Sequence, residues 1–284
     1  MRFYTIEVGG KEYVAVENSD NKLVTLESMG LKVSDMNDLI VQFDSLRSDI
    51  DNCLKAGVPV ENHKILAPIP VPKQDIICLG VNYKEHIDET ADLVDFTKKQ
   101  DAVYFSKRVN RCNDPDGRIP SYDFVDSLDY EVELGVILKQ DAFQVSVEDA
   151  SEYILGYTII NDVSARNIQL KHQQWYRGKS LDGYTPMGPC IVTADEIEDA
   201  QGLNIECFVN EEKRQSSNTA CMITTVEEAI SELSQGMTLK AGTIIATGTP
   251  GGVGMGFKPP KFLQSGDVIR CSIAKIGTLS NVVE

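Results

Sequence analysis

The chain has 284 residues, 42% of them hydrophobic, so it can bury a substantial core as one large domain or two unequal ones. No apolar run approaches the roughly 20 residues a membrane span needs, and a formal charge of −16 argues against nucleic acid or an anionic membrane surface as partner. Seven scattered cysteines without a Cys-x-x-Cys pair, only three histidines and no apolar leader point to a cytoplasmic protein with reduced thiols and no zinc site.

Residues 1–70 read as a small α+β N-terminal domain. Gly9-Gly10-Lys11 separates two alternating runs and predicts a hairpin. Apolar Leu39, Phe43, Leu46 and Ile50, at three- and four-residue spacing, predict a helix over 35–54. The proline-marked stretch 67–72 is a stiff connection, and no chemistry is legible before it. A second domain, 75–284, carries the rest.

Residues 75–79 form a short buried strand. If 83–89 is a helix, His86 and Glu89 are neighbours one turn apart, and a carboxylate beside an imidazole makes a general base for water. The alternative is a solvated acidic helix, continued by Asp92 and Asp95, with a chance histidine. Residues 104–108 read as a strand ending in cations, and 110–120 as a loop rich in turn residues.

Residues 129–138, from Asp129 to Leu138, form an apolar, β-branched strand. Alternation sets Glu131, Glu133 and Gly135 on one face and Tyr130, Val132, Leu134 and Val136 on the other. The two acids are then about 6.6 Å apart at Cα. Either a hard divalent ion neutralises them, or the strand is an edge whose glutamates face water. The strand beginning at Gly156 ends at Asp162, which is an N-cap for the following helix or the third ligand of an oxygen site. Arg166 and Gln169 share a face of that helix and suit a carboxylate bound near the ion. Lys179, in a glycine- and proline-dense stretch, offers a positive charge to a developing enolate.

Residues 203–209 and 221–224 read as strands joined across 210–218. Residues 229–233 form a short helix. The glycine-rich 242–254 lacks the Gly-Lys-Ser/Thr and the Gly-x-Gly-x-x-Gly spacing of phosphate loops, and Pro259-Pro260 forbids a helix soon after. A strand running into a loop whose amides and Thr249 hydroxyl meet a small oxyanion fits better. A last strand covers 266–273.

Taken together, 80–89, 129–138, 156–169, 175–189 and 242–254 resemble, in order and spacing, the fumarylacetoacetate hydrolase family. The likeness covers roughly residues 75–284 and extends to the single-chain bacterial branch of acylpyruvate hydrolases, oxaloacetate decarboxylases and isomerases of diene dioates. It implies a mixed β-roll core with some α and a homodimer. It also implies Mg²⁺ or Mn²⁺ held by Glu131, Glu133 and Asp162, and a small 2-oxo acid as substrate. His86 and Glu89 would activate water on a lid, Lys179 would stabilise the enolate, and Arg166, Gln169 and Thr249 would hold substrate oxygens. The implied reaction is cleavage of a carbon–carbon bond in an acylpyruvate to pyruvate and a carboxylic acid. The alternatives are oxaloacetate decarboxylation, 2-hydroxyhepta-2,4-diene-1,7-dioate isomerisation, and non-catalytic dicarboxylate binding. Two departures stand out: Asn167 where the family usually has Asp, and Asn210-Glu211 where its hairpin often has Asn-Gly.

Overall fold

Gly9 and Gly10 both take positive φ and close the predicted hairpin between β1 (Arg2–Val8) and β2 (Lys11–Glu17). They belong to a computed structural model that describes residues 1–90, 101–172 and 174–284. β3 (Leu23–Thr25) extends the hairpin, and α1 (Met36–Leu54) follows, with the Asp35 side chain accepting from the Asp38 amide as N-cap. The helix buries Leu39, Phe43 and Ile50, as their spacing predicts. Next come β4 (Lys64–Leu66), β5 (Ile76–Gly80), α2 (Lys84–Thr90), β6 (Val103–Lys107), β7 (Arg118–Ile119), β8 (Leu128–Asp129), β9 (Val132–Leu138), β10 (Ile154–Asn161) and β11 (Ser164–Ala165). Short helices α3 (Arg166–Lys171) and α4 (Tyr176–Lys179) lead into β12 (Met187–Thr193) and the hairpin of β13 (Asn204–Val209) and β14 (Glu212–Asn218). The chain closes with α5 (Val226–Ser234), β15 (Ile244–Ala246), β16 (Val268–Ile273) and β17 (Gly277–Val283).

Among the described residues the large sheet runs β3-β2-β1-β12-β10-β9-β15-β5-β6, with β4 beside β1. The N-terminal strands thus hydrogen-bond into the same sheet as the carboxylate strand. A second sheet, β14-β13-β16-β17-β7, completes a mixed, strand-dominated fold. The alternation of β9 explains how the layers pack. Val132, Leu134 and Val136 join Ile205, Ile269 and Leu279 in the core that spans both sheets. Ile137 points the other way, into the core under α1 with Phe43 and Ile160. Glu131 and Glu133 lie on that second side by the same parity. No helix among the described residues is long and apolar enough to cross a membrane.

Four local expectations are corrected. The strand expected over 129–138 breaks at Tyr130 and Glu131. The amides of Glu131 and Val132 donate to the side chains of Asn161 and Gln215 instead of a neighbouring strand, while β8 pairs with β11. Residues 221–224 are no strand: β13 pairs with Glu212–Asn218 across Asn210-Glu211, Asn210 taking φ +55°. That partner strand is mostly polar and partly exposed, so it carries no hydrophobic alternation to read. The loop at 110–120 contains β7, and β17 follows the strand expected to be last. The acidic continuation at Asp92 and Asp95 lies outside the described residues.

α5 is stopped at its N-terminus by a capping box: Thr225 Oγ1 accepts from the Glu228 amide and the Glu228 carboxylate accepts from the Thr225 amide. Thr225→Ala is expected to cost about 1 kcal/mol, read as a lower denaturant midpoint at unchanged activity.

Candidate active site

β9 and β10 run antiparallel, and the acids gather where they end. Ile160 pairs with Glu133, Asn161 pairs with Val132, and the Asp162 amide donates to the Glu131 carbonyl at 2.8 Å. One carboxylate oxygen each from Glu131, Glu133 and Asp162 therefore lies within 4.8 Å of the others. The two glutamates do share a face, but that face does not meet water: Glu133 is 1% exposed and Asp162 0%.

Cations surround the cluster. Lys179 Nζ sits 2.6 Å from Glu131 Oε2 and 2.6 Å from Asp162 Oδ2. Lys107 Nζ is 2.5 Å from Asp162 Oδ1 and also donates to the Tyr184 and Val163 carbonyls. Arg166 opens α3 and meets Glu131 Oε1 through Nη2 at 2.7 Å and Asp129 Oδ2 through Nε at 2.9 Å. Four buried acids (Asp129, Glu131, Glu133, Asp162) thus face three buried cations (Lys107, Arg166, Lys179), leaving one negative charge over. Among the described residues, Glu133 is the acid of this group without an ion pair. Its Oε2 accepts from the Gly248 amide at 2.9 Å. Burial, with Asp162 and Glu131 beside it, pushes the Glu133 carboxyl well above the ordinary carboxylate range. Glu131 goes the opposite way: burial opposes its ionisation, yet Lys179 and Arg166 hold it down to about 2.

This charge pattern tests the expected ion. The excess at Glu133 is relieved by a proton or by a cation. Three carboxylates offer the all-oxygen donor set that Mg²⁺ and Mn²⁺ take. Lys179 pairs with two of them, and each carboxylate oxygen has a second lone pair for an ion on the Glu133 side. The residues fit the group.

The dyad is formed as well. His86 Nδ1 lies 2.8 Å from Glu89 Oε1, one turn apart on α2. With Nδ1–H donating to the carboxylate, Nε2 is the basic nitrogen. His86, Glu131, Glu133, Arg166, Gln169, Lys179 and Thr249 line one pocket of about 510 Å³, its open mouth included. Glu89 backs the imidazole, and Asp162 supports the cluster from behind. Phe105 and Trp175, edge to face at 5.2 Å, supply part of an apolar wall.

The expected ligands of the substrate are placed differently from one another. Gln169 Oε1 accepts from Arg166 Nη1 at 2.9 Å, so its Nε2 is the end offered to the pocket. Thr249 Oγ1 donates to the Val132 carbonyl and accepts from Gln215 Nε2, which engages its one proton with the protein. The glycine-loop amides likewise meet protein carboxylates: Gly248 meets Glu133, Gly252 meets Glu89, and Gly254 and Met255 meet Asp129. Asn167 donates from Nδ2 to the Phe124 carbonyl at 2.9 Å, a bond that an ionised aspartate has no proton to make.

Two residues that sequence reasoning passed over complete the site, Asp129 and Lys107. Parity was the available signal for Asp129, which precedes Glu131 and Glu133 by two and four positions. Lys107 closes the strand Val103–Lys107 behind an exposed Ser106 and is itself only 1% exposed. Their partners are far away in the chain, up to 126 residues for Met255 and Asp129.

Comparison with known proteins agrees with this geometry. The family model described as fumarylacetoacetate (FAA) hydrolase C-terminal matches residues 75–284. Oxaloacetate tautomerase YisK of Bacillus subtilis (strain 168) is 37% identical over 309 aligned residues, covering 100% of both chains. Among solved structures, the fumarylacetoacetate hydrolase of psychrophilic Exiguobacterium antarcticum superposes with a TM-score of 0.88 at 38% identity, covering 100% of this chain and 99% of that one. Maleylpyruvate hydrolase from Sphingobium sp. SYK-6, in complex with manganese(II) and pyruvate, superposes at 0.80 with 27% identity, covering 100% and 98%. A complete carboxylate cluster, an assembled His–Glu pair and full-length likeness lead to one conclusion: this chain is an enzyme of the fumarylacetoacetate hydrolase family.

Proposed function

We propose that the protein is a Mg²⁺- or Mn²⁺-dependent hydrolase of an acylpyruvate, releasing pyruvate and a carboxylic acid. The observation that carries the reading is the assembled His86–Glu89 pair, whose imidazole lines the same pocket as Glu131 and Glu133 of the three-acid cluster. Glu131, Glu133 and Asp162 would hold the ion, which when bound polarises the ketone of the 2-oxo acid as a Lewis acid. His86 Nε2 takes a proton from water as its oxygen attacks the distal carbonyl, and Glu89 keeps the imidazole oriented. The tetrahedral adduct collapses to the carboxylic acid, the carbon–carbon bond breaks, and its electron pair passes to the pyruvate fragment as an enolate. His86 then returns the proton to the enolate carbon. Two of the three Lys179 donors serve Glu131 and Asp162, which leaves the third for negative charge developing in the pocket. Arg166 and Gln169 set the substrate carboxylate in place.

Purified protein with Mn²⁺ is expected to release pyruvate from acetylpyruvate or fumarylpyruvate. His86→Ala should lower kcat by about 10²- to 10⁴-fold while Mn²⁺ binding persists. No pyruvate from any acylpyruvate in a small panel defeats the reading. A second reading has its own support, the full-length likeness to an oxaloacetate tautomerase. In that case the dyad carries a proton between the enol oxygen and C3, and no water attacks. Metal- and His86-dependent loss of enol absorbance from oxaloacetate, without hydrolysis of any acylpyruvate, selects it.

A further inference from the structure

The loop at 248–256 does different work from that expected of a glycine-rich anion loop. We infer that its 251–256 segment positions the His86–Glu89 dyad: the Gly252 amide fixes the second carboxylate oxygen of Glu89, and Gly256 provides the space that carboxylate occupies. The inference rests on the dyad being the proton-transfer group.

Glu89 Oε1 meets His86 Nδ1 at 2.8 Å, and Oε2 accepts from the Gly252 amide at 2.7 Å. A carboxylate held at both oxygens cannot swing about its terminal torsion, so the ring it orients is fixed too. Sterics point the same way. A Cβ at Gly256 would lie 2.5 Å from Glu89 Oε2 and 2.7 Å from its Cδ, and one at Gly251 would lie 3.0 Å from Glu85 Cβ. Glu85 and Glu89 are four residues apart and share a face of α2, so that face rests on two glycines. Gly252 itself has φ +102°, and a Cβ there would meet the Arg214 carbonyl at 1.9 Å. Only glycine turns this amide toward Glu89.

The far end of the segment is anchored in the body of the site. Asp129 accepts from the Gly254 and Met255 amides at 2.7 and 3.0 Å and from Arg166 Nε at 2.9 Å. One short piece of backbone therefore sets the proton-transfer pair in register with the arginine proposed to hold the substrate carboxylate. Gly252 and Gly256 are positioning residues; neither donates to the reacting atoms in this scheme.

Gly256→Ala tests this against Gly236→Ala, a glycine with nothing within 4 Å of its added Cβ. Gly256→Ala should lower kcat about tenfold or more, the scale of one charge-assisted hydrogen bond, with KM and Mn²⁺ affinity within twofold of wild type. Hydrogen exchange should accelerate in 84–90 and at the Gly252 amide, while Gly254 and Met255 stay protected. Unchanged kcat and exchange, or an equal loss of Mn²⁺ binding, overturns the inference. Should Gly256→Ala fail to fold, Glu89→Ala decides: the Gly252 amide must exchange about tenfold faster while Gly254 does not. A Gly252 amide that stays protected there refutes the anchoring. These exchange readouts need no substrate, so they separate a failure of this inference from a failure of the hydrolase reading.

Discussion

Glu133→Gln is expected to eliminate metal-dependent turnover and yet to stabilise the metal-free protein at neutral pH. The two effects share a cause. Among the described residues Glu133 is the buried acid of the cluster without a cationic partner, and its carboxyl is raised well above its ordinary value of 4.5 by burial and by Asp162 and Glu131. The folded state therefore binds this proton more tightly than the unfolded chain does. Its contribution to stability is fully present below about pH 4.5 and is lost as pH rises through the raised folded value. Gln is a neutral isostere with no proton to lose, so metal-free Glu133→Gln should show a flatter stability profile and a higher melting temperature on the alkaline side. With Mn²⁺ the order should invert, because only the wild type gains stability by binding the ion. Thermal melts of both proteins, with chelator and with excess Mn²⁺ across pH 5–9, check this. Parallel curves under the two conditions would remove the cation from the account of this cluster.

Asp129→Ala should produce the largest loss of stability, about 3–5 kcal/mol, by removing one partner of a buried charge pair. Asp129 is fully buried and accepts from the Tyr130, Gly254 and Met255 amides as well as from Arg166 Nε. Its loss strands three backbone donors and leaves Arg166, itself 3% exposed, with Glu131 alone for charge. Denaturant midpoints measure the change. A midpoint within experimental error of wild type would show that solvent or Glu131 replaces these contacts without cost. Asp129→Asn keeps the shape and an acceptor oxygen, and should fall between the two.

The residues of the site were largely visible before any fold was known, because period-two alternation is a local property. Glu131 and Glu133 had to share a face in an extended chain, and His86 and Glu89 had to be neighbours on a helix. The N-terminal hairpin, α1 and the apolar β9 followed from turn chemistry and spacing in the same way. The polar strand β14 escaped because a partly exposed edge needs no hydrophobic pattern, and its identity comes from the backbone it pairs with.

Alone, the sequence determined the chemical inventory: an oxygen-rich acid cluster, an imidazole–carboxylate pair and cations able to accompany both. Tertiary structure decided how they are coupled. It placed Lys179 between Glu131 and Asp162, buried Lys107 against the other oxygen of Asp162, and turned amides of the glycine loop toward Glu89, Glu133 and Asp129. These partners lie from 17 to 163 residues apart. Spacing along a strand or a helix fixes a side chain's direction over a few residues, whereas contacts at such separations exist only once the sheets have closed on one another.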